Sequence, residues 1–228
     1  MDCLVVTPLG DLDSVTYRFF RDDLVKFAMD QPRAVIVVVD DLRIASSASL
    51  TAFSSAWMRI GDWPAVPILL VAHDAKLRAT LTHSAIARFV PVHAGLDRAM
   101  AALRDPPARR RTEVELCPVT ASSRLARVFV RTACERWQLA DRMTDATEVA
   151  TELVENAIVH AGTDLRLRLE LRNGRLTVAV RDGSPREAVL REWSGEQASG
   201  LRLVAHLSRV WGCAPDLGGG KIVWAVLA

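Results

Sequence analysis

The 228-residue sequence predicts two domains, a first α/β domain with a mostly parallel sheet and a second α+β domain with a mostly antiparallel sheet. Three observations lead to this prediction. The chain is longer than a usual single domain of about 100 to 150 residues. Adjacent prolines and three consecutive arginines interrupt it at residues 104–112, which predicts a linker. The order of helices and strands also differs between residues 1–103 and 113–228, the two predicted domains.

In the first domain, short runs rich in β-branched residues alternate with helical patterns. The predicted strands span residues 3–8, 34–39, 68–72 and 90–92, and the predicted helices span residues 15–30, 49–60, 75–86 and 96–103. Strands that alternate with helices are typical of a mostly parallel sheet on which the helices pack.

The second domain shows helices first and strands afterwards. Helices are predicted at residues 121–137 and 145–161, because Asp145 suits a helix start and Gly162 suits a helix stop. From residue 165 to 172, leucines alternate with charged residues, which is the period of a strand. Asn173 and Gly174 then favour a tight hairpin turn into a second strand. A further helix is predicted at residues 200–211 and a last strand at 222–227, so the sheet is antiparallel with helices on one face.

Composition narrows the classes of function. Half of the residues are apolar, a quarter are charged, and the net charge is only +2, which gives no field suited to binding a nucleic acid backbone. No apolar run approaches the roughly 20 residues of a membrane span, and the start of the chain lacks a basic segment typical of secretion. The four cysteines are scattered, without metal-ligand or redox spacing. We therefore expect reduced thiols and a cytoplasmic protein that binds neither nucleic acid nor membrane.

Glu152 and Asn156 are the most informative pair of polar residues. They lie four residues apart in a predicted helix, so both side chains project from one face. A carboxylate can orient and deprotonate a hydroxyl group, and an amide oxygen can bind a hard metal ion without repelling phosphates. His160 follows on the same face, and we interpret it as a packing or hydrogen-bonding residue. The pair predicts a site for a metal-bound nucleotide.

Three further motifs follow in order: Asp182 and Gly183 after a predicted strand, Gly200 and Leu201 at a predicted helix start, and the glycine run 218–220 before Lys221. With the Glu152 motif they resemble the N-box and glycine boxes of the GHKL, or histidine-kinase-like, ATPase superfamily. Residues 113–228 are most similar to its anti-sigma-factor serine kinases. Trp211–Gly212 and residues 221–224 add to this resemblance.

The resemblance implies a role for each matching residue. Glu152 corresponds to the general base toward the accepting hydroxyl, and Asn156 to the ligand of the Mg²⁺ ion that bridges the phosphates of ATP. Asp182 corresponds to the residue that accepts a hydrogen bond from the adenine amine. The remaining cofactor-binding positions are Gly183, Gly200, Leu201, Gly219 and Lys221. Ala198 and Ser199 depart from the family pattern, in which glycine and often arginine stand there, at the end of a lid of residues 186–199.

Residues 1–103 resemble a STAS domain of the anti-sigma-factor-antagonist type. The similarity lies in residues 10–16, in residues 39–42 and in the segment 45–50, which aligns with the phosphorylation loop of that family. Ser47 falls on the serine that is phosphorylated. Ser46 and Ser49 replace an aspartate and a glycine of the family pattern. The three serines equally suit a role as capping residues for the following helix.

The two resemblances together imply an intracellular regulator of sigma-factor activity by partner switching, with an ATP-dependent serine kinase fused to a phospho-switchable antagonist domain. The implied partners are a sigma factor, a STAS-type antagonist protein and a second copy of the chain as a homodimer. An alternative is a nucleotide-dependent protein-binding module without kinase turnover. A third alternative, the ATPase end of a histidine kinase, lacks the phosphoacceptor helical hairpin that would precede it.

Overall fold

The computed structural model describes residues 2–103, 108–188 and 200–227. The chain divides into two compact units, Met1–Pro106 and Pro107–Ala228. Within the described ranges, every helix is too short or too polar to cross a lipid bilayer.

The first unit contains a four-stranded parallel sheet in the order β1-β3-β5-β6 and a separate two-stranded parallel sheet of β2 and β4. The strands are β1 (Leu4–Val6), β2 (Gly10–Leu12), β3 (Val35–Val38), β4 (Leu42–Ile44), β5 (Ile68–Val71) and β6 (Val92–His93). The helices are α1 (Tyr17–Met29), α2 (Thr51–Ile60), α3 (Ala75–Thr82) and α4 (Leu96–Ala101), with a short 3₁₀ helix at Ala85–Arg88. The predicted mostly parallel sheet is confirmed.

The core of the first unit lies on both faces of this sheet. Ile36 and Leu69 pack with Ala99 of α4 on one face. Helices α1 and α2 pack against each other, and Phe20 meets Phe53 edge to face with the ring centroids 5.1 Å apart. The strands β2 and β4 were not predicted, because three residues are too few to show a strand period.

The second unit contains a five-stranded antiparallel sheet in the order β10-β11-β9-β8-β7. The strands are β7 (Arg109–Leu116), β8 (Leu165–Arg172), β9 (Arg175–Asp182), β10 (Ser208–Pro215) and β11 (Lys221–Leu227). The helices are α5 (Ala121–Trp137), α6 (Met143–His160) and α7 (Gly200–Leu207), with a short 3₁₀ helix at Ala140–Arg142. The predicted antiparallel sheet is confirmed.

The predicted hairpin turn forms between β8 and β9. Asn173 and Gly174 have φ values of 51° and 72°, and Arg172 pairs with Arg175 across the turn. The leucines of β8 face the helices, and Leu167 and Leu169 are fully buried in a core shared with Leu153 and Val154 of α6. The alternating pattern therefore positions α6 on the sheet.

Two predicted boundaries differ from the structure. Residues 109–112 were predicted as linker but form the first half of β7, because they pair with residues 169–172 of β8 in continuous register. The helix predicted at residues 200–211 was wrong beyond Leu207. There the chain enters β10, whose residues, including Trp211 and Gly212, pair with β11. Aromatic and β-branched residues favour such strand pairing over helix continuation.

Candidate functional site

Helix α6 positions Glu152 and Asn156 on one face, as predicted. The opposite face is buried in the core through residues such as Val149 and Leu153, which fixes the direction of the polar face. Thr151, next to Glu152, is buried. Its hydroxyl group donates a hydrogen bond of 2.7 Å to the carbonyl oxygen of Thr147 in the same helix. Glu152 and Asn156 are therefore directed away from the core.

Glu152 is half-buried, and its carboxylate receives no hydrogen bond from the residues that the structure describes. Burial, and then the negative charges of Glu155 and Glu148, raise the pKa of this carboxyl group above its ordinary value. A carboxylate with a raised pKa binds protons more strongly and is a better general base at neutral pH.

Asn156 has an amide nitrogen, Nδ2, that is buried and makes no hydrogen bond within the described part of the chain. An unsatisfied buried donor costs about 1 to 3 kcal/mol, so native proteins rarely retain one without a reason. A bound polar ligand would supply the missing partner.

Gly200, the first residue of α7, lies directly against both side chains. A Cβ atom built on Gly200 would overlap Oε2 of Glu152 and lie 3.6 Å from Nδ2 of Asn156. A larger residue would require the carboxylate of Glu152 to move. The start of α7 therefore meets the polar face of α6, as the order of the motifs predicts.

Thr163 connects the end of α6 to the segment that follows β9. Its hydroxyl oxygen accepts a hydrogen bond from the backbone N–H of Gly183, 2.8 Å away. A Cβ atom on Gly183 would lie 3.1 Å from the same oxygen. Asp182 and Gly183 are thus held beside the carboxyl end of the helix that contains Glu152 and Asn156.

Asp182 is buried and forms an ion pair with Lys221, in which the ammonium nitrogen lies 2.8 Å from Oδ1. The same oxygen accepts a hydrogen bond of 2.8 Å from the backbone N–H of Ser184. Its second oxygen, Oδ2, accepts none from the described residues. The structure therefore places two of the predicted site residues, Asp182 and Lys221, in direct contact.

The glycine run 218–220 forms the turn between β10 and β11. Gly219 has a φ of +84°, which favours glycine, and a Cβ atom on Gly220 would overlap the carbonyl oxygen of Asp182. Asp216 holds the turn through its carboxylate, which pairs with Arg181 and accepts a hydrogen bond from the N–H of Gly218. The glycines therefore allow this turn to approach the end of β9.

The remaining predicted positions belong to α7 and to the residues before it. Leu201 is buried in the core of the second unit. Ala198, Ser199 and most of the predicted lid lie outside the described residues. Nowhere in the described ranges do three or more His, Cys, Asp or Glu side chains form a metal-binding group.

Sequence reasoning missed three residues that hold the site together, namely Thr163, Ser184 and Asp216. The position of Thr163 just after the helix stop at Gly162 is a signal that could have identified it. Nothing local to Asp216 indicates its partner, since Arg181 lies on another strand.

Ser47 lies in the loop that precedes α2 in the first unit. It is exposed, and its hydroxyl makes no hydrogen bond with the described residues. Ser46 and Ser49 instead stabilise the turn, because their hydroxyl oxygens lie 3.1 Å apart and Ser46 accepts a bond from the N–H of Ser49. The N-cap of α2 is Leu50, without a side-chain cap. None of the three serines therefore caps the helix itself.

Among solved structures, the chain is similar to the RsbU and RsbW domains of Rv1364c from Mycobacterium tuberculosis, with 16% sequence identity and a TM-score of 0.40. The alignment covers 52% of this chain and 32% of that chain. This chain thus spans about a third of the length of the structure it matches. A scan against models of known protein families gave no match. A search of curated proteins gave no significant match. At this identity and TM-score, any functional assignment depends on the geometry of the site.

Proposed function

We propose that the second unit binds ATP with Mg²⁺ and transfers phosphate to a serine of a protein partner. The single observation that supports this best is the contact of three polar or small residues from two helices, α6 and α7. Asn156 has an unsatisfied buried amide nitrogen, Glu152 has a carboxylate without a described hydrogen-bond partner, and Gly200, which has no side chain, lets that carboxylate lie against the start of α7.

The residues present fit a nucleotide bound with a metal ion. Asn156 would hold Mg²⁺ through its amide oxygen, because an amide can turn so that either its oxygen or its nitrogen faces the site. The metal ion, when bound, would neutralise negative charge on the phosphates. The backbone at the start of α7, next to Gly200, offers N–H groups and the positive end of the helix dipole to the phosphates.

Glu152 acts in this proposal as the general base. Its carboxylate accepts the proton of the serine hydroxyl as the serine oxygen forms its bond to phosphorus, and ADP leaves. The absence of a hydrogen-bond partner among the described residues leaves the carboxylate available for this contact. Its raised pKa suits the transfer.

Asp182 would bind the base of the nucleotide. Its oxygen Oδ2 has no donor among the described residues, so it is available to the exocyclic amine of adenine. The hydrogen bond from Gly183 to Thr163 keeps the residues after β9 close to the end of α6. Gly219 and Lys221 are proposed as further nucleotide-binding positions, and Leu201 as a packing residue at the base of α7.

The partners belong to the same proposal. A cytoplasmic serine kinase of this type would regulate a sigma factor by partner switching, with a STAS-type antagonist as the protein that it phosphorylates. Ser47 in the first unit is a candidate acceptor, since its hydroxyl is exposed and free. Residues of the first unit would also be present at a raised local concentration, because both units share one chain. Homodimers are part of the expectation from the family resemblance.

The test is incubation of the purified chain with Mg²⁺ and ATP, alone and with candidate STAS proteins, followed by calorimetry and mass-spectrometric mapping of phosphoserine. We expect ATP binding to weaken in Asn156→Ala and phosphoserine to disappear in Glu152→Ala. Glu135→Gln is the control, because Glu135 is an exposed carboxylate on the neighbouring helix α5 and does not contribute to the raised pKa of Glu152.

Three outcomes would contradict the proposal in different ways. Calorimetry that detects no binding of any adenine nucleotide would contradict the proposed nucleotide site. ATP binding without any phosphate transfer would instead support a nucleotide-dependent binding module. Unchanged transfer in the Glu152 variant would remove the assignment of the base.

A further inference from the structure

The ion pair between Lys221 and Asp182 has hydrogen-bonding capacity that the described residues do not use. The ammonium group of Lys221 has three N–H donors. It meets Oδ1 of Asp182 at 2.8 Å and the carbonyl oxygen of Ser184 at 3.4 Å. One donor is left without an acceptor in the described part of the chain. Oδ2 of Asp182 is likewise left without a donor there.

Both free positions belong to groups that are buried and fixed. The side chains of Lys221 and Asp182 are 8% and 2% exposed. The backbone holds them side by side, because Lys221 and Asp182 are paired residues of the neighbouring strands β11 and β9. Gly220 allows this approach, since a Cβ atom there would overlap the carbonyl of Asp182. Such low exposure leaves an unused donor or acceptor few water molecules to bond with, so a partner of complementary chemistry is expected.

A donor directly beside an acceptor is the complement of the Watson–Crick edge of adenine. That edge presents the 6-amino group as a donor and the adjacent ring nitrogen N1 as an acceptor. Proteins commonly identify a base by hydrogen bonds to this edge. Asp182 alone can recognise the amine, but it cannot detect N1, because a carboxylate is only an acceptor when ionised.

We propose that Lys221 is a specificity-determining residue that donates a hydrogen bond to N1 of adenine, while Oδ2 of Asp182 accepts one from the 6-amino group. This inference rests on the proposed function, since it concerns the base of the same nucleotide. It assigns to Lys221 a contact with the base, rather than with the phosphates.

The experiment compares three nucleotides by calorimetry with Mg²⁺ present: ATP, its 1-deaza analogue, in which a C–H group replaces N1, and its 7-deaza analogue as the control. We expect the 1-deaza analogue to bind the unmodified chain about 10- to 100-fold more weakly than ATP, the loss typical of a hydrogen bond from a charged donor. The 7-deaza analogue should bind within about twofold of ATP, since N7 lies away from this edge.

The variant Lys221→Met completes the comparison, with its folding checked by circular dichroism. In this variant ATP and the 1-deaza analogue should bind with affinities within about twofold of each other, because the donor to N1 is gone. If this variant does not fold, the comparison of nucleotides on the unmodified chain still decides the inference.

The outcomes separate the inference from the proposed function. Equal binding of ATP and the 1-deaza analogue to the unmodified chain would overturn the role of Lys221 and leave the nucleotide site standing. Tighter binding of GTP than of ATP would also overturn it, because the pair would then bind the guanine edge. Failure of all nucleotides to bind would overturn both proposals.

Discussion

The two halves of the candidate site differ in how their polar groups are satisfied. Glu152 and Asn156 on α6 are half-buried and have no hydrogen-bond partners for the carboxylate and for Nδ2 among the described residues. Asp182 and Lys221 on the sheet are buried and bonded to each other. The carboxylate and the amide nitrogen on the helix side are therefore available to a ligand. On the sheet side, the ion pair fixes the positions of both side chains.

The largest expected effect is on stability, at the sheet side. Asp182→Ala leaves the ammonium of Lys221 buried without its counterion, and breaking a buried pair in this way costs about 3 to 5 kcal/mol. Urea unfolding followed by tryptophan fluorescence should show this loss in the transition of the second unit. Asp164→Ala, at an exposed carboxylate nearby, is the control and should change stability by less than about 0.5 kcal/mol. A loss below about 1 kcal/mol for Asp182→Ala would end the contrast between the two halves.

The next effect concerns the contact between helices α7 and α6. Gly200→Ala places a methyl group where Oε2 of Glu152 lies, so the start of α7 or the carboxylate must move. Because the overlapped atoms are the far end of a flexible side chain, we expect a stability cost at the low end of the range for overpacking, about 1 kcal/mol, together with weaker ATP binding. Thermal unfolding and calorimetry would measure both. Gly95→Ala is the control for stability, because a Cβ atom there meets nothing within 4 Å. Unaltered ATP affinity in Gly200→Ala would show that α7 does not shape the site.

A smaller effect is expected at the helix side, and it depends on pH. Because the pKa of Glu152 is raised in the folded state, the folded chain binds this proton more tightly than the unfolded chain. The stabilisation that comes from protonation of Glu152 is therefore complete below the unfolded-state pKa. It is lost as the pH rises through the folded-state pKa.

Glu152→Gln removes this titration. Relative to the unmodified chain, the variant should gain stability between acid and neutral pH, by less than about 1 kcal/mol because water screens a half-exposed group. Urea unfolding at several pH values would measure the gain, with Glu135→Gln, at an exposed carboxylate on α5, as the control. The opposite trend, a variant that becomes relatively less stable toward neutral pH, would show that the carboxylate has a stabilising partner.

The smallest effect extends the comparison to the loop of the first unit. Ser47→Ala removes an exposed hydroxyl without a described partner and should change the free energy of unfolding by less than about 0.5 kcal/mol. Ser49→Ala should cost about 1 kcal/mol, because Ser49 is buried and its hydroxyl contacts that of Ser46. Thermal unfolding of the two variants would check this. Equal losses would indicate that Ser47 has a structural role.

Local patterns predicted most of the fold. The alternating leucines of β8 and the Asn173–Gly174 turn identify a hairpin from neighbouring residues alone, and both are confirmed. Likewise, the helical spacing of Glu152 and Asn156 is sufficient to place them on one face. The sheet class of each unit followed from the order of elements, which is also a local property of the chain.

Contacts between distant residues could not be predicted in this way. Asp182 and Lys221 are 39 positions apart, and their ion pair depends on the register between β9 and β11. The hydrogen bond from Gly183 to Thr163 spans 20 positions. The helix predicted through residue 211 failed for the same reason, since the strand partner of residues 208–215 lies later in the chain.

The arginines at the start of β7 have a consequence for the association of this protein with itself. β7 is the terminal strand of the five-stranded sheet, so one side of its backbone has no partner strand within that sheet. Such an edge can recruit strands from other chains and begin aggregation, and dense charge is a common protection against it. Arg109, Arg110 and Arg111 place three positive charges there. Replacing them with β-branched apolar residues would remove this protection and favour pairing of β7 with strands of other chains.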